Sequence, residues 1–512
     1  MDTKEHREPE NTSLENRYQH DITFQLHCFD RLLIYGNFGD INLPGRMQYQ
    51  AHLAGVGIMD YQKKFANSLR ESVARRVRER AGELGISICH VNHGERKEEL
   101  VAKMVKERGR DPGVVAVLSA MEGCTCYKPV KNRKTGYMEL GWSKGKCVHY
   151  YIYFIDPEIG LGYLRIPTWA PFRLQFYCNG HSWLARQLEK EAIQYTLADN
   201  TFTHVSDPAK AQQMSMELDP QQLMERCQHW ASQWCEVYGH WSQIHWSISQ
   251  AEYATDLVFK QPALLGELYQ SLVRTAVCDI DAASIYRFFG KNLTVASSQE
   301  VASRLDTRVQ GTRLKHSIGK QAIKVYDKAG LVLRIESVSG DISFFKHYRE
   351  VKHRNGSSSK KHASMRKGLF SLGALREQME AVNRRYLDFL SSLTDHTAGR
   401  TDLHRLTQTK ETENGQRYKG LNAFDSQDWR LLQILLRGQH TIGGMTHRQL
   451  QVLLPDWSSG KLSRQLRRVR ELGVLKKVAY SYRYYLTKLG KRLLVAIAQL
   501  KNRIIIPALA KA

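Results

Sequence analysis

The chain has 512 residues, too many for one ordinary domain, and 42% of them are hydrophobic, enough for several cores. Lys and Arg number 75 against 51 Asp and Glu, a formal net charge of +24 at pH 7, which asks for a polyanionic partner. No run approaches eighteen apolar residues and the first twenty residues are polar, which argues against a membrane span or a secretory signal. Nine scattered cysteines fit reduced thiols in a cytoplasm better than a disulfide framework.

In chain order, residues 1–20 read as a disordered tail. Residues 21–215 read as an α+β domain with an antiparallel sheet. ITFQLHCFDRLLIYG gives one or two strands. Residues 61–84 form a basic helix with Phe65, Leu69, Val73 and Val77 on its apolar face. A strand at 85–91, a helix at 95–108 and a buried strand at 113–121 follow. A meander then runs through 137–142, 147–155, 160–167 and 171–178, punctuated by Gly, Asp and Pro. Residues 216–306 read as a helical region, 307–394 as a β-hairpin plus a helix, 395–422 as a polar linker, and 423–512 as a terminal DNA-binding domain. The expected class is α+β and multidomain.

The segment RLKHSIGKQAIKVYDKAGLVLRIESV alternates, with Ala329-Gly330 as the turn. Leu331, Leu333 and Ile335 point one way, Arg334 and Glu336 the other. Asp327 and Glu336 could share Mg or Mn, with Lys328 and Arg334 holding a phosphate; a solvated, salt-bridged hairpin is the alternative. Glu122, ending a hydrophobic strand, is a third candidate carboxylate. Cys124-x-Cys126 and Cys147-x-His149 end neighbouring strands, so the four side chains could form a zinc site, with small buried cysteines as the alternative. HYREVKHRNGSSSKKH reads as a basic loop suited to phosphate contact.

The last ninety residues carry the strongest pattern. Asp425 or Ser426 can cap a helix to Arg437, Thr446 a second, and Ser458 or Ser459 a third over 460–472. The third helix has one apolar stripe, Leu462, Leu466, Val469 and Leu472. Its other face holds Lys461, Ser463, Arg464, Arg467, Arg468 and Arg470. VLKKVAYSYRYYLT then gives two short strands, with Lys476, Lys477 and Arg483 placed to flank phosphates, and Thr487 opens a final helix.

LSRQLRRVRELGVLKKVAYSYRYYLTKLG resembles MarR-like winged helices, which implies double-stranded DNA as partner. YDK…LRIE, within 313–338, resembles a phrase of gene II-type rolling-circle replication proteins. That resemblance implies nicking, although of their His-hydrophobe-His motif only Val148-His149-Tyr150 is present. The whole chain resembles a family of long bacterial proteins ending in a winged helix, which implies no activity. The leading expectation is a DNA-binding protein with a mobile-element, replication or defence role. A metal-dependent nuclease or nickase and a ligand-responsive transcriptional regulator are the alternatives. RNA or single-stranded DNA stays open as a further ligand, and the pattern sets no oligomeric state.

Overall fold

The structure, a computed structural model, describes residues 13–510 apart from 93, 110, 242, 295, 296, 298, 309, 310, 394, 395, 413, 438–443, 479 and 480. The fold is α+β, in two compact units. One comprises Tyr18–Glu267 and Ile285–Leu387, the other Met1–Arg17, Leu268–Ser284 and Asp388–Ala512. Most of the expected tail lies outside the described residues; Leu14–Arg17 is a helical turn with Leu14 buried. No described helix is long and apolar enough to cross a membrane.

The strands of the larger unit are, in chain order, β1 Ile22–Phe38, β2 Ile88–His90, β3 Gly113–Lys131, β4 Met138–Asp156, β5 Gly160–Pro167, β6 Leu174–Cys178, β7 Tyr195–Ala198, β8 Thr201–Val205 and β9 Ile244–Phe259. They continue with β10 Val301–Arg308, β11 Gly311–Ile318, β12 Gln321–Lys328, β13 Val332–Ser339, β14 Lys346–Lys352 and β15 Ser358–Ser364. Eleven of them form one sheet in the order β10-β11-β12-β13-β9-β1-β6-β5-β4-β3-β2. Its pairings are antiparallel except β2 with β3.

This sheet revises the expected division of the chain. The segments read separately as 21–215, 216–306 and 307–394 all contribute strands to it. β9, inside the expected helical region, lies between β1 and β13. IHWSIS at the start of β9 does alternate, but from Ala251 to Phe259 every residue is buried, so the second half of the strand carries no two-residue alternation. The expected hairpin is present as β12 and β13, with Ala329 and Gly330 both at positive φ in its turn.

The helix Leu372–Leu393 packs on one face of the sheet. Asn383 donates to the Tyr253 carbonyl at 2.9 Å, and Ser337 donates to the Met379 carbonyl at 3.2 Å. On the other face the helix Gly180–Lys190 approaches β1 closely: a Cβ on Gly180 would lie 2.2 Å from the Phe29 carbonyl oxygen. Asn179 caps this helix by accepting from the His181 and Ser182 amides at 2.8 and 3.2 Å.

In the smaller unit, the helices Ser426–Leu435, His447–Leu453 and Ser459–Glu471 are capped by Asp425, Thr446 and Ser458. After the short ladder β16 Lys410–Glu411 with β17 Arg417–Tyr418 come β18 Met445–Thr446, β19 Leu475–Lys477 and β20 Arg483–Leu486. The last three form a sheet in the order β18-β20-β19, and Thr487 caps a helix Lys488–Gln499. The stretch 395–422, expected as a linker, contains the helix His396–Thr407, and Leu406 and Leu421 enter the same apolar core as Leu432, Leu450, Leu462 and Leu466. The few apolar residues of this polar stretch leave no period to read, yet two of them, Leu406 and Leu421, suffice to seat it.

Candidate functional site

The densest polar chemistry of the larger unit lies on the sheet face that the helix Gly180–Lys190 covers. Period-2 geometry puts Glu252 and Asp256 of β9, Arg334 and Glu336 of β13, and Lys324 and Tyr326 of β12 on that face. Asp30 reaches it by a different device. It is the extra residue of a β-bulge on β1, between the pairs Phe29–Tyr253 and Arg31–Glu252. Bulges re-aim one side chain and recur beside active sites.

Two groups of contacts result. Arg334 is fully buried and donates to both Asp256 oxygens at 2.7 and 2.6 Å, to Asp30 at 3.2 Å and to the Asn200 carbonyl at 3.1 Å. Thr201 also donates to Asp256, at 2.8 Å. Beside this pair, Lys324 spans Glu336 at 2.5 Å and Glu252 at 3.1 Å, and the Tyr326 hydroxyl donates to Glu336. Ligand oxygens of Asp30, Glu252 and Glu336 lie within 4.8 Å of one another, the only such grouping among the described residues.

The electrostatics differ across the cluster. Burial alone would raise the Asp256 and Asp30 carboxyls, but the Arg334 charge and His181 outweigh it and hold both well below the usual carboxylate range. Glu336 goes the other way: burial, then the hydrogen bond shared with Glu252, pushes it up to about 8 despite Lys324. The four carboxyls Asp30, Glu252, Asp256 and Glu336 face the buried Arg334 and Lys324, and Arg31 and Lys328 also act on Glu252 and Asp30 from the edge. Three carboxylates offer hard oxygen donors, which suit Mg or Mn rather than a thiolate-preferring metal. Lys324 and Glu252 form the cluster's outer edge, with only 14% and 11% of their side chains exposed.

Only part of this was anticipated. Glu336 is in the cluster, but Asp327 pairs with Leu333 and lies on the opposite face of β12, so the two cannot share an ion. Arg334 is consumed by Asp256 and Asp30, and Lys328 pairs with Asp199 at 3.2 Å, so neither is free for a phosphate. Glu122 binds Lys97 at 2.7 Å and the Tyr151 hydroxyl at 2.8 Å; β3 stands six strand spacings from β13, roughly 29 Å away.

The expected zinc ligands come together only in part. Cys126 stands opposite Ser143 and His149 opposite Ala120, six residues away along β3, or roughly 20 Å. Cys147 contacts His149, Sγ to Nδ1 at 3.9 Å, and shares a side-chain hydrogen bond with Cys124, but the four residues form no metal-binding grouping among the described residues. Asp30, Glu252, Asp256 and His181 were missed because they come from three segments far apart in the chain, Glu252 and Asp256 together on β9. The pairing of β1 with β9, 222 residues apart at Asp30 and Glu252, brings them together. The break in alternation at CFD in β1 is the one local signal.

The third helix of the smaller unit, Ser459–Glu471, buries Leu462, Leu466 and Val469. Arg464 and Arg467 are exposed and make no hydrogen bond or ion pair among the described residues. Lys461 lies over the Trp457 ring at 4.6 Å, Ser463 meets His447 at 3.1 Å, and Arg470 pairs with Glu471 at 3.0 Å. Arg468, expected on the DNA face, turns inward. It binds Asp428 at 2.7 and 2.9 Å and the Lys419 carbonyl at 2.7 Å, with 12% of its side chain exposed. Lys476, Lys477 and Arg483 are exposed on β19 and β20, Lys477 over the Tyr482 ring at 5.8 Å.

No protein-family model and no curated protein matches the chain. Among solved structures it is similar to a rolling circle replication initiator protein from Geobacillus stearothermophilus. The likeness has 12% identity and a TM-score of 0.20, covering 62% of this chain and 74% of that one, and is too slight to carry an argument.

Proposed function

We propose that the chain is a duplex-DNA-binding protein whose smaller unit acts as a winged helix, with the helix Ser459–Glu471 as the element that enters the major groove. The observation that carries this reading is the pairing on one helix of a buried stripe with an opposite face where Arg464 and Arg467 are exposed and unpartnered. The three-stranded sheet after it presents Lys476, Lys477 and Arg483 to flanking phosphates. A titration of a short duplex against the protein and its Arg464→Ala/Arg467→Ala variant tests this. The variant is expected to lose affinity and to show a shallower dependence on salt, because fewer counterions are released. Equal binding by both would sink the reading.

A second reading follows from the carboxyl cluster: metal-dependent cleavage of a DNA strand. Asp30, Glu252 and Glu336 would hold Mg or Mn, which supplies charge stabilisation at a phosphodiester. Lys324 would then swing from the carboxylates toward the anion, and Tyr326 keeps Glu336 oriented. The test has two readouts. Manganese should raise the melting temperature of the parent and not of Glu252→Gln/Glu336→Gln, and supercoiled plasmid should be nicked by the parent alone. No manganese shift in the parent would leave the cluster a structural ion network.

A further inference from the structure

We infer that β14 and β15 form a DNA-gripping arm, a basic two-stranded ribbon that lies in a duplex groove and tracks its phosphates. The inference rests on the reading of the chain as a duplex-DNA binder, though not on which helix reads bases. Where the sequence suggests a loop, residues 346–352 and 358–364 pair in an unbroken antiparallel ladder from Lys346–Ser364 to Lys352–Ser358. Seven residues per strand make a ribbon roughly 23 Å long.

Its surfaces are unlike those of a strand pair that serves a core. Every residue of β15 except Ala363 is exposed, and β14 alternates exposed and half-buried positions with none buried. A two-stranded ribbon with no apolar face gains little from folding alone. Between 346 and 364 it carries Lys346, Arg349, Lys352, Arg354, Lys360 and Lys361 against a single acid, Glu350. Arg349 stands directly opposite Lys361, a like-charged cross-strand pair that an anion over the ribbon would relieve, although Arg349 also donates to the Ser364 and Glu350 carbonyls at 3.0 and 3.1 Å and Glu350 stands opposite Lys360. Lys352, Arg354, Lys360 and Lys361 make no ion pair among the described residues.

Charge and shape select the partner. The B-form major groove admits a two-stranded β-ribbon, whereas the deep, narrow major groove of A-form RNA does not. A single strand would ask for several stacking rings; the ribbon offers Tyr348 with His362, their centroids 5.7 Å apart.

The experiment compares the full-length protein with a variant carrying Lys352→Ser, Arg354→Ser, Lys360→Ser and Lys361→Ser, and with Glu350→Lys. Each is titrated on a 30-base-pair duplex by fluorescence anisotropy at several salt concentrations, with circular dichroism to verify folding. The fourfold variant is expected to keep its melting temperature and lose roughly 3 to 4 from the slope of log affinity against log salt, while Glu350→Lys steepens it by about one. A parent that binds the duplex with the same slope as the fourfold variant overturns the arm and leaves the winged-helix reading standing. A parent that binds no duplex overturns both. An equal loss on single-stranded DNA or on duplex RNA overturns the groove assignment.

Discussion

Arg334 and Arg468 both stand in basic or alternating segments where a free cation is the natural expectation, and both are consumed inside the fold. Arg468 ties the third helix of the smaller unit to Asp428 at the start of the first, and to the backbone at Lys419. Truncating it leaves Asp428, itself 7% exposed, without its partner. Arg468→Ala should therefore cost about 3 kcal/mol of the unit's stability, the usual order for breaking a mostly buried ion pair. Arg464→Ala, on the open face, should stay within about 0.5 kcal/mol. Denaturant titrations of the two variants separate the residue that holds the helix from the one proposed to meet DNA. His316 gives a pH-dependent counterpart. It is buried between Ser303 at 2.8 Å and Tyr386 at 3.1 Å, and burial lowers its pKa from 6.5 to about 4. The folded state thus resists protonation that the unfolded chain accepts. Stability is full above pH 6.5 and falls as pH drops toward 4, by roughly 3 kcal/mol over that window. His316→Gln should flatten this acid limb in melting curves at pH 4.5 and 7; an unchanged limb would place the proton elsewhere.

At the level of elements, the caps and turns were the most legible features. Asp425, Thr446, Ser458 and Thr487 each accept the backbone amide that a cap should, and Ala329-Gly330 makes its turn. These signals are local, so a single sequence carries them. What could not be read was anything fixed by pairing across long separations: the place of β9 between β1 and β13, the partners of the bulge at Asp30, and the separation of Cys126 from His149 by the β3–β4 register. Glu336 was legible because alternation in β13 is clean, whereas Asp30 falls at the break in alternation of β1 and Glu252 in the continuously buried half of β9. The polar stretch 395–422 shows the cost of reading composition alone, since Lys410 donates to the Glu471 carbonyl at 2.7 Å and Leu406 and Leu421 are buried. A fragment covering 423–512 should accordingly melt lower than one covering 396–512. Trypsin should spare 402–412 in the native protein; early cleavage there would show that this packing is not maintained.

For the molecule as a whole, the two units divide the chemistry. The larger holds the carboxyl cluster on its sheet and the basic ribbon after β13; the smaller holds the third helix with its open arginines. The net charge of +24 suits a polyanion engaged by more than one surface. On this account base preference belongs to Arg464 and Arg467, while the ribbon and Lys476, Lys477 and Arg483 supply affinity that is indifferent to sequence. An arginine on guanine O6 and N7 contributes roughly 1–3 kcal/mol of discrimination, and a phosphate contact contributes almost none. The most direct measurement is a selection of bound duplexes from a random-sequence library, run in parallel with the parent and with Arg464→Ala/Arg467→Ala. The account predicts an enriched sequence for the parent, and for the variant weaker, salt-sensitive binding with no enrichment. The same sequence enriched by both proteins would contradict it.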